Sequence, residues 1–357
     1  MVFRRVAVIH LRSDCRRKDL IYGDVLTRPS HFIRYSIVIP AYNAGRTLSA
    51  TLAALRDQSI PPEDYEVIVV DDGSTDETPS VARHSGAKCI TQPNRGPAAA
   101  RNSGVRVARG EFILFTDADC VPEREWIRQM TLPFQNQRTA GVKGAYRTRQ
   151  TEPAARFAQA EFEDRYDLLE KFPAIDMVDT YSAAFRRDVL VGMGLFDESF
   201  PVASNEDTEL SYRLCAMGYR LVFNRKAVVY HRHPDTFSKY LRLKFKRAYW
   251  RMVVYRKYPG KTFRDTYTPT VVKLQTVVAA LALSALFFAI FSPKFLLLAA
   301  TLLIVILSFS IPFAVKTFKK DPFIGLLSPV VVLARAMVFA VGSIWGVLHS
   351  SKLRKMI

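Results

Sequence analysis

The sequence predicts an α/β domain, a mixed but mainly parallel sheet covered by helices, followed by a C-terminal membrane helical region. Three observations predict it. Between residues 35 and 120, short β-branched runs alternate with helical stretches, the pattern of strand and helix units around a parallel sheet. Several of those runs end in polar clusters, where such sheets bind ligands. Beyond Val271 the chain becomes a series of long uncharged apolar stretches, each near the roughly 20 residues that a bilayer core requires.

Composition narrows the function classes. The 357 residues are 49% hydrophobic, which excludes wholesale disorder, and 16 Gly with 19 Pro exclude a collagen-like chain. Cys15, Cys89, Cys120 and Cys215 form no CxxC pair, which excludes a disulfide scaffold and argues against a zinc ribbon. The net charge of +18 is unevenly placed. Residues 1–34 hold 8 basic and 3 acidic side chains, residues 35–230 hold 23 and 27, and residues 231–357 hold 20 and 3. The excess lies beside the apolar runs, so it points to a membrane surface and no nucleic-acid partner is expected.

The elements follow in order. Residues 1–34 are Arg-rich without a sustained apolar core and do not read as a signal peptide. They form an N-terminal extension whose role stays open between a transit peptide, an edge element and residues upstream of the true start. Residues 35–235 form the main α/β domain. Tyr35–Pro40 and Tyr65–Val70 read as strands, as do Ala87–Thr91 and Glu111–Thr116. Thr47–Gln58, Thr78–Ser85 and Pro97–Ala108 read as the helices between them. Residues 236–270 are a basic interfacial segment. Its first part, through residue 258, places Phe237, Leu241, Phe245, Ala248, Met252 and Tyr255 on one stripe with Lys239, Arg242 and Lys246 largely off it. Residues 271–357 hold two or three membrane helices. Leu274–Phe291 and Phe295–Val315 make a hairpin, and Phe323–Leu348 is a third run with Arg335 near its middle. A charge there is costly unless it faces protein, water or a headgroup. The basic clusters, including Lys352, Arg354 and Lys355, place the main α/β domain on the cytoplasmic side of the cell membrane.

The chemistry gathers at strand ends. Asp117 and Asp119 follow an apolar strand with one residue between them, a spacing that lets two carboxylates share Mg²⁺ or Mn²⁺. Capping of a helix starting near Glu123 is the alternative. Asn205-Glu206-Asp207-Thr208-Glu209 opens a helix through Cys215; N-terminal capping and general-base chemistry both suit it.

Taken together, PAYN (Pro40–Asn43), VVDDGSTD (Val69–Asp76), NRGPAAARNSG (Asn94–Gly104), FTDADC (Phe115–Cys120), GLFDESF (Gly194–Phe200), NEDTELSYRLCAMGYRL (Asn205–Leu221) and VVYHRHP (Val228–Pro234) resemble family 2 glycosyltransferases of GT-A fold in order and spacing. The resemblance implies that Pro40, Tyr42 and Asp72 hold the base and ribose of a nucleotide-diphosphate sugar, a UDP-sugar first among the donors. Asp76 would support that loop or cap the next helix. Arg101 and Asn102 would place the donor near its diphosphate. Asp117 and Asp119 would carry the metal there, with His231 as a further ligand and His233 as the other histidine in reach. Asp207 would be the catalytic base, with Glu206 shaping its field or contacting the acceptor. The implied reaction is one inverting displacement by an acceptor hydroxyl. A polyprenyl-linked glycan at the membrane is the leading acceptor, and a polyprenyl phosphate, met by Arg147, Arg149, Arg186 and Arg187, is the alternative. Lys246–Trp250 only distantly echoes the QxxRW motif of processive synthases, with Tyr249 where an Arg would stand. Ile113–Val121 also fits a haloacid-dehalogenase-type phosphatase with Asp117 as nucleophile, which leaves PAYN and DDGSTD unexplained.

Overall fold

The computed structural model describes residues 33–200, 205–262 and 264–353; most of the N-terminal extension, together with Arg354 and Lys355, lies outside them. β1 (Tyr35–Ala41), α1 (Leu48–Arg56), β2 (Tyr65–Asp71), α2 (Thr78–His84), β3 (Lys88–Thr91), α3 (Pro97–Val107) and β4 (Phe112–Thr116) reproduce the predicted alternation. There follow β5 (Val121–Pro122), α4 (Trp126–Thr131), β6 (Thr139–Arg147), α5 (Pro153–Leu169), β7 (Ser182–Arg186), α6 (Arg187–Gly192), α7 (Glu206–Ala216) and β8 (Arg220–Tyr230). The chain then forms α8 (Phe237–Lys257), α9 (Thr270–Phe288), α10 (Lys294–Phe318) and α11 (Pro322–Leu353).

The strands make one eight-stranded sheet in the order β3-β2-β1-β4-β7-β6-β8-β5. β1 pairs in parallel with both β2 and β4, and β7 runs antiparallel to its neighbours β4 and β6. Ile37, Val38, Ile39, Ile68, Val69, Val70, Ile113, Leu114 and Phe115 are fully buried. Helices cover both faces, which is why these strands are continuous β-branched runs rather than alternating ones. The chain winds outward from β1 to β3 and returns to β4 on the other side of β1. The β1/β4 boundary is therefore the switch point beyond which such sheets bind ligands.

Three helices, Thr270–Phe288, Lys294–Phe318 and Pro322–His349, are long and apolar enough to cross a membrane. Arg335 does not face lipid. It is buried, and its guanidinium pairs with Glu161 of α5 and donates to Gln275 Oε1 of α9 at 2.8 Å. Lys244 of α8 meets the same carboxylate at 2.8 Å, and the Tyr240 hydroxyl donates to it at 2.7 Å. α11 also packs closely on α8. A Cβ on Gly342 would come within 2.8 Å of the Phe245 carbonyl oxygen, and one on Gly346 within 2.7 Å of that of Tyr249. This glycine pair at i, i+4 lets the two backbones touch.

Much of the basic excess of the tail is thereby turned inward. Lys316 pairs with Asp164 and Asp167, Lys257 with Glu209, Lys261 with Asp176, and Lys273 with Asp265. Lys316, Lys257 and Lys261 dock the tail onto the mildly acidic domain, and Lys273 pairs within the tail.

Candidate active site

The rim is first built by stitching the turn after β1 to the turn after β2. Asn43, at φ 50°, accepts the Thr75 N–H through Oδ1 at 2.9 Å and donates its own N–H to Ser74 Oγ at 2.9 Å. Asp76 does both of the things expected of it. It accepts the Gly45 N–H at 3.0 Å, holding the loop, and the Thr78 N–H at 2.9 Å, capping α2. Pro40 is half-buried near the end of β1, and Tyr42, which follows the strand, is 53% exposed.

Asp72 is buried and anchors a loop. Its Oδ1 accepts Gln92 Nε2 at 2.7 Å and the Arg95 N–H at 3.0 Å, and its Oδ2 accepts the Gly96 N–H at 2.8 Å. Gly96 adopts φ 88°, a left-handed conformation that glycine takes without steric cost, and it launches α3 with Pro97 in its first turn. The neighbouring Asp71 accepts the Ser74 N–H through Oδ1, while its buried Oδ2 has no hydrogen-bond partner among the described residues.

α3 delivers Arg101 and Asn102, both buried, to the centre. Asn102 fixes the 196–198 loop by accepting the Phe196 N–H at 3.0 Å and donating to the Phe196 carbonyl at 2.9 Å and to Glu198 at 2.9 Å. Arg101 donates to Glu206 Oε1 at 2.7 Å and to Asp117 Oδ1 at 3.3 Å. It thus ties the β4 end to the first turn of α7. Asn205 opens α7 at φ 68°, and Asp207 follows Glu206 into the helix, partly exposed. Burial, then the carboxylates of Glu206 and Asp179, push Asp207 up to about 7 against the opposing pull of Arg101 and the Thr208 N–H. A carboxyl so shifted is suited to proton transfer near neutral pH.

The candidate metal edge arises from strand pairing. β5 pairs with the end of β8, Val121 opposite Tyr230, and this brings His231 beside Asp119 and Cys120. His231 Nδ1 lies 3.4 Å from Asp119 Oδ1 and 3.6 Å from Cys120 Sγ, and its ring stacks on Tyr146 at 4.8 Å. Ligand atoms of Asp119, Cys120 and His231 all fall within 4.8 Å of one another. Asp117 and Asp119 are partly exposed, and Cys120 is fully buried. Burial pushes Asp117 up despite Arg101. For Asp119, burial is outweighed by the hydrogen bond and charge of His231, and its carboxyl is held low. The carboxylate and imidazole donors fit Mg²⁺ or Mn²⁺, the imidazole favouring Mn²⁺. His233 is turned away. It is buried, bonds Gln159 Oε1 at 3.0 Å and stacks on Phe162.

Lys143, Asp179 and Tyr181 were not anticipated. Lys143 is fully buried in β6, pairs with Asp179 and donates to the Tyr181 hydroxyl at 2.7 Å. Its signal was present: a lysine inside the apolar run Ala140-Gly141-Val142-Lys143-Gly144-Ala145 implies a buried partner.

Residues 36–192 match the model of the family "Glycosyl transferase family 2". The chain is 28% identical over 250 residues to the Bacillus subtilis protein named "Probable glycosyltransferase YdaM", covering 65% of this chain and 58% of that one. It is 27% identical over 204 residues to the glycosyltransferase AglE of Haloferax volcanii, covering 55% of this chain and 66% of that one. The chain thus spans less than two thirds of the length of these relatives. Among solved structures, a mannosyltransferase from Pyrobaculum calidifontis, determined with GDP-Man and Mn²⁺, superposes with a TM-score of 0.58 at 22% identity over 90% of each chain, a likeness of fold.

Proposed function

We propose that this chain, whose residues 36–192 match the family "Glycosyl transferase family 2", moves a sugar from a nucleotide-diphosphate donor to a hydroxyl of a membrane-held acceptor with inversion at the anomeric carbon. One observation carries this reading. Arg101 joins the Asp117 edge, beside Asp119 and His231, to the α7 turn that bears Asp207.

In this reading the donor lies over the β1, β2 and β4 ends, its base and ribose against Pro40, Tyr42 and the loop anchored by Asp72. Asp117, Asp119 and His231 would hold Mg²⁺ or Mn²⁺. When bound, such an ion offsets negative charge on a departing diphosphate. Asp207 accepts the proton of the acceptor hydroxyl as its oxygen forms the new bond to the anomeric carbon and the bond to the diphosphate oxygen breaks. Glu206, fixed by Arg101, keeps a second carboxylate beside the base and so favours its role as proton acceptor. No carboxylate nucleophile is needed, unlike retaining glycosidases. Arg101 and Asn102 act here as scaffold, both being buried in protein contacts.

The apolar helices support a membrane-held acceptor, and a polyprenyl-linked glycan facing the cytoplasm is the form proposed. A polyprenyl phosphate would want free cations at the cleft. Arg186 instead donates to the Thr139 and Phe134 carbonyl oxygens at 3.0 and 2.9 Å, Arg147 lies 3.6 Å from Glu123, and Arg149 stacks over Tyr230. A thermal-shift screen of UDP-, GDP- and dTDP-sugars with Mn²⁺ tests the proposal. Stabilisation by at least one donor is expected, and no response to any of them would overturn it.

A further inference from the structure

The segment between α8 and α9, which leads into the first apolar helix, is strapped onto the catalytic domain. Thr266 and Asp176 exchange backbone and side-chain bonds. The Thr266 N–H and hydroxyl donate to Asp176 Oδ1 at 3.0 and 2.7 Å, and the Asp176 N–H donates to Thr266 Oγ1 at 3.0 Å. Lys261 adds a pair to Asp176 Oδ2 at 2.9 Å. Tyr267 is buried, and its hydroxyl accepts from Arg165 Nη1 at 3.0 Å and donates to Asp179 Oδ2 at 3.3 Å. On the membrane side, Asp265 accepts the Tyr267 N–H at 3.0 Å and pairs with Lys273 of α9 at 2.6 Å.

The strapped stretch 176–179 is in turn the support of the base. The Val178 N–H donates to Ser211 Oγ at 3.0 Å, and Ser211 Oγ donates to the Asp207 carbonyl oxygen at 2.7 Å. A continuous path of hydrogen bonds and ion pairs therefore runs from α9 through Asp265, Tyr267 and the 176–179 stretch to the first turn of α7.

We propose that Tyr267 is a positioning residue for Asp207, so that seating of the juxtamembrane strap and alignment of the catalytic base are one event. This rests on the reading of Asp207 as the base. The strap holds the 176–179 stretch, and that stretch sets both the place of Asp207 and the charge it faces. The charged groups facing Asp207 are Glu206 from its own helix, Asp179 from the strapped stretch, Arg101 from α3 and Lys143 from β6. Removing the Asp179 charge leaves Lys143 unpaired, and both changes stabilise ionised Asp207.

The test uses the full chain in detergent with Mn²⁺. It reads nucleoside diphosphate release, with water as the hydroxyl acceptor, from whichever of a panel of UDP-, GDP- and dTDP-sugars turns over fastest. Tyr267→Phe, which keeps the ring, is expected to lower kcat about tenfold with the donor KM unchanged, as misalignment of a reacting group does. Asp179→Asn is expected to move the acid limb of the kcat profile down by about one pH unit. Asp207→Asn is the control and should show no turnover. If Tyr267→Phe keeps kcat within about twofold and the acid limb of Asp179→Asn does not move, the strap does not position the base. Equal loss of kcat and donor affinity together with a lowered Tm would also overturn the proposal, in favour of a purely structural role. Turnover by Asp207→Asn would remove the base reading itself, and this inference with it.

Discussion

The Arg101 guanidinium donates to Glu206 at 2.7 Å with both side chains buried, and its other nitrogen reaches Asp117 at 3.3 Å. One side chain thus sets the spacing between the end of β4 and the first turn of α7. Arg101→Met would leave Glu206 buried and unpaired. It is expected to cost about 3–5 kcal/mol of stability, read as a lowered denaturation midpoint. Arg101→Lys keeps a charge but loses the fork that spans two carboxylates. It is expected to fold and to lose about 100-fold in kcat/KM, measured by nucleoside diphosphate release.

The elevated Asp207 fixes two pH effects. The base must be ionised to work, so kcat is expected to fall as the pH drops below about 7. Stability runs the other way. The folded-state value lies above the ordinary carboxylate value of about 4, so between those pH values the unfolded chain loses this proton first. Asp207 therefore destabilises the fold as pH rises through that window. Asp207→Asn is expected to raise Tm at pH 8 by about a few degrees while abolishing transfer. A lower Tm in that variant would show that the environment does not disfavour the charge.

The two histidines separate by role. His231→Ala is expected to weaken Mn²⁺ activation about 10- to 100-fold in a metal titration after chelation. His233→Ala removes a buried ring from between Gln159 and Phe162, and should lower Tm without moving the metal midpoint. Reversal of these two outcomes would assign His233 to the metal.

Glu161 is the keystone between domain and helices. Burial alone would raise its carboxyl, but the charges of Lys244 and Arg335 outweigh that and hold it low. Glu161→Leu leaves two buried cations without their partner and is expected to cost about 3–5 kcal/mol, seen as loss of Tm in detergent. Gly342→Leu should separate α11 from α8 and lower Tm as well, because the side chain would have to enter space held by the Phe245 carbonyl.

The parts legible in the sequence were those written locally. β-branched runs ending in PAYN, DDGSTD and DAD marked three strand ends, and the sheet brought all three to one rim because parallel strands share a direction. Arg335 was legible as a charge that had to face protein, water or a headgroup, but its partner, Glu161, lies 174 residues away on α5. Asp72 and Asn102 were legible as residues of the donor motifs, but not their protein partners: the fold brings loop N–H groups 23 and 24 residues onward to Asp72 and the 196–198 loop to Asn102, contacts that no local pattern encodes. The strap was hidden for the same reason: nothing local to Tyr267 points to Arg165 and Asp179, which the topology places beside it. The Gly342–Gly346 pair was missed, although its GxxxG spacing was a local signal in the sequence.

The central claim is a metal-assisted sugar transfer with Asp207 as the base. Its most direct test compares the wild-type chain with Asp207→Asn in one nucleotide-sugar panel containing Mn²⁺, recording both thermal shift and nucleoside diphosphate release. The account requires that the same donor stabilise both proteins and that only the wild type release nucleoside diphosphate. Release by Asp207→Asn at the wild-type rate, or a donor shift present in the wild type and absent in the variant, would contradict it.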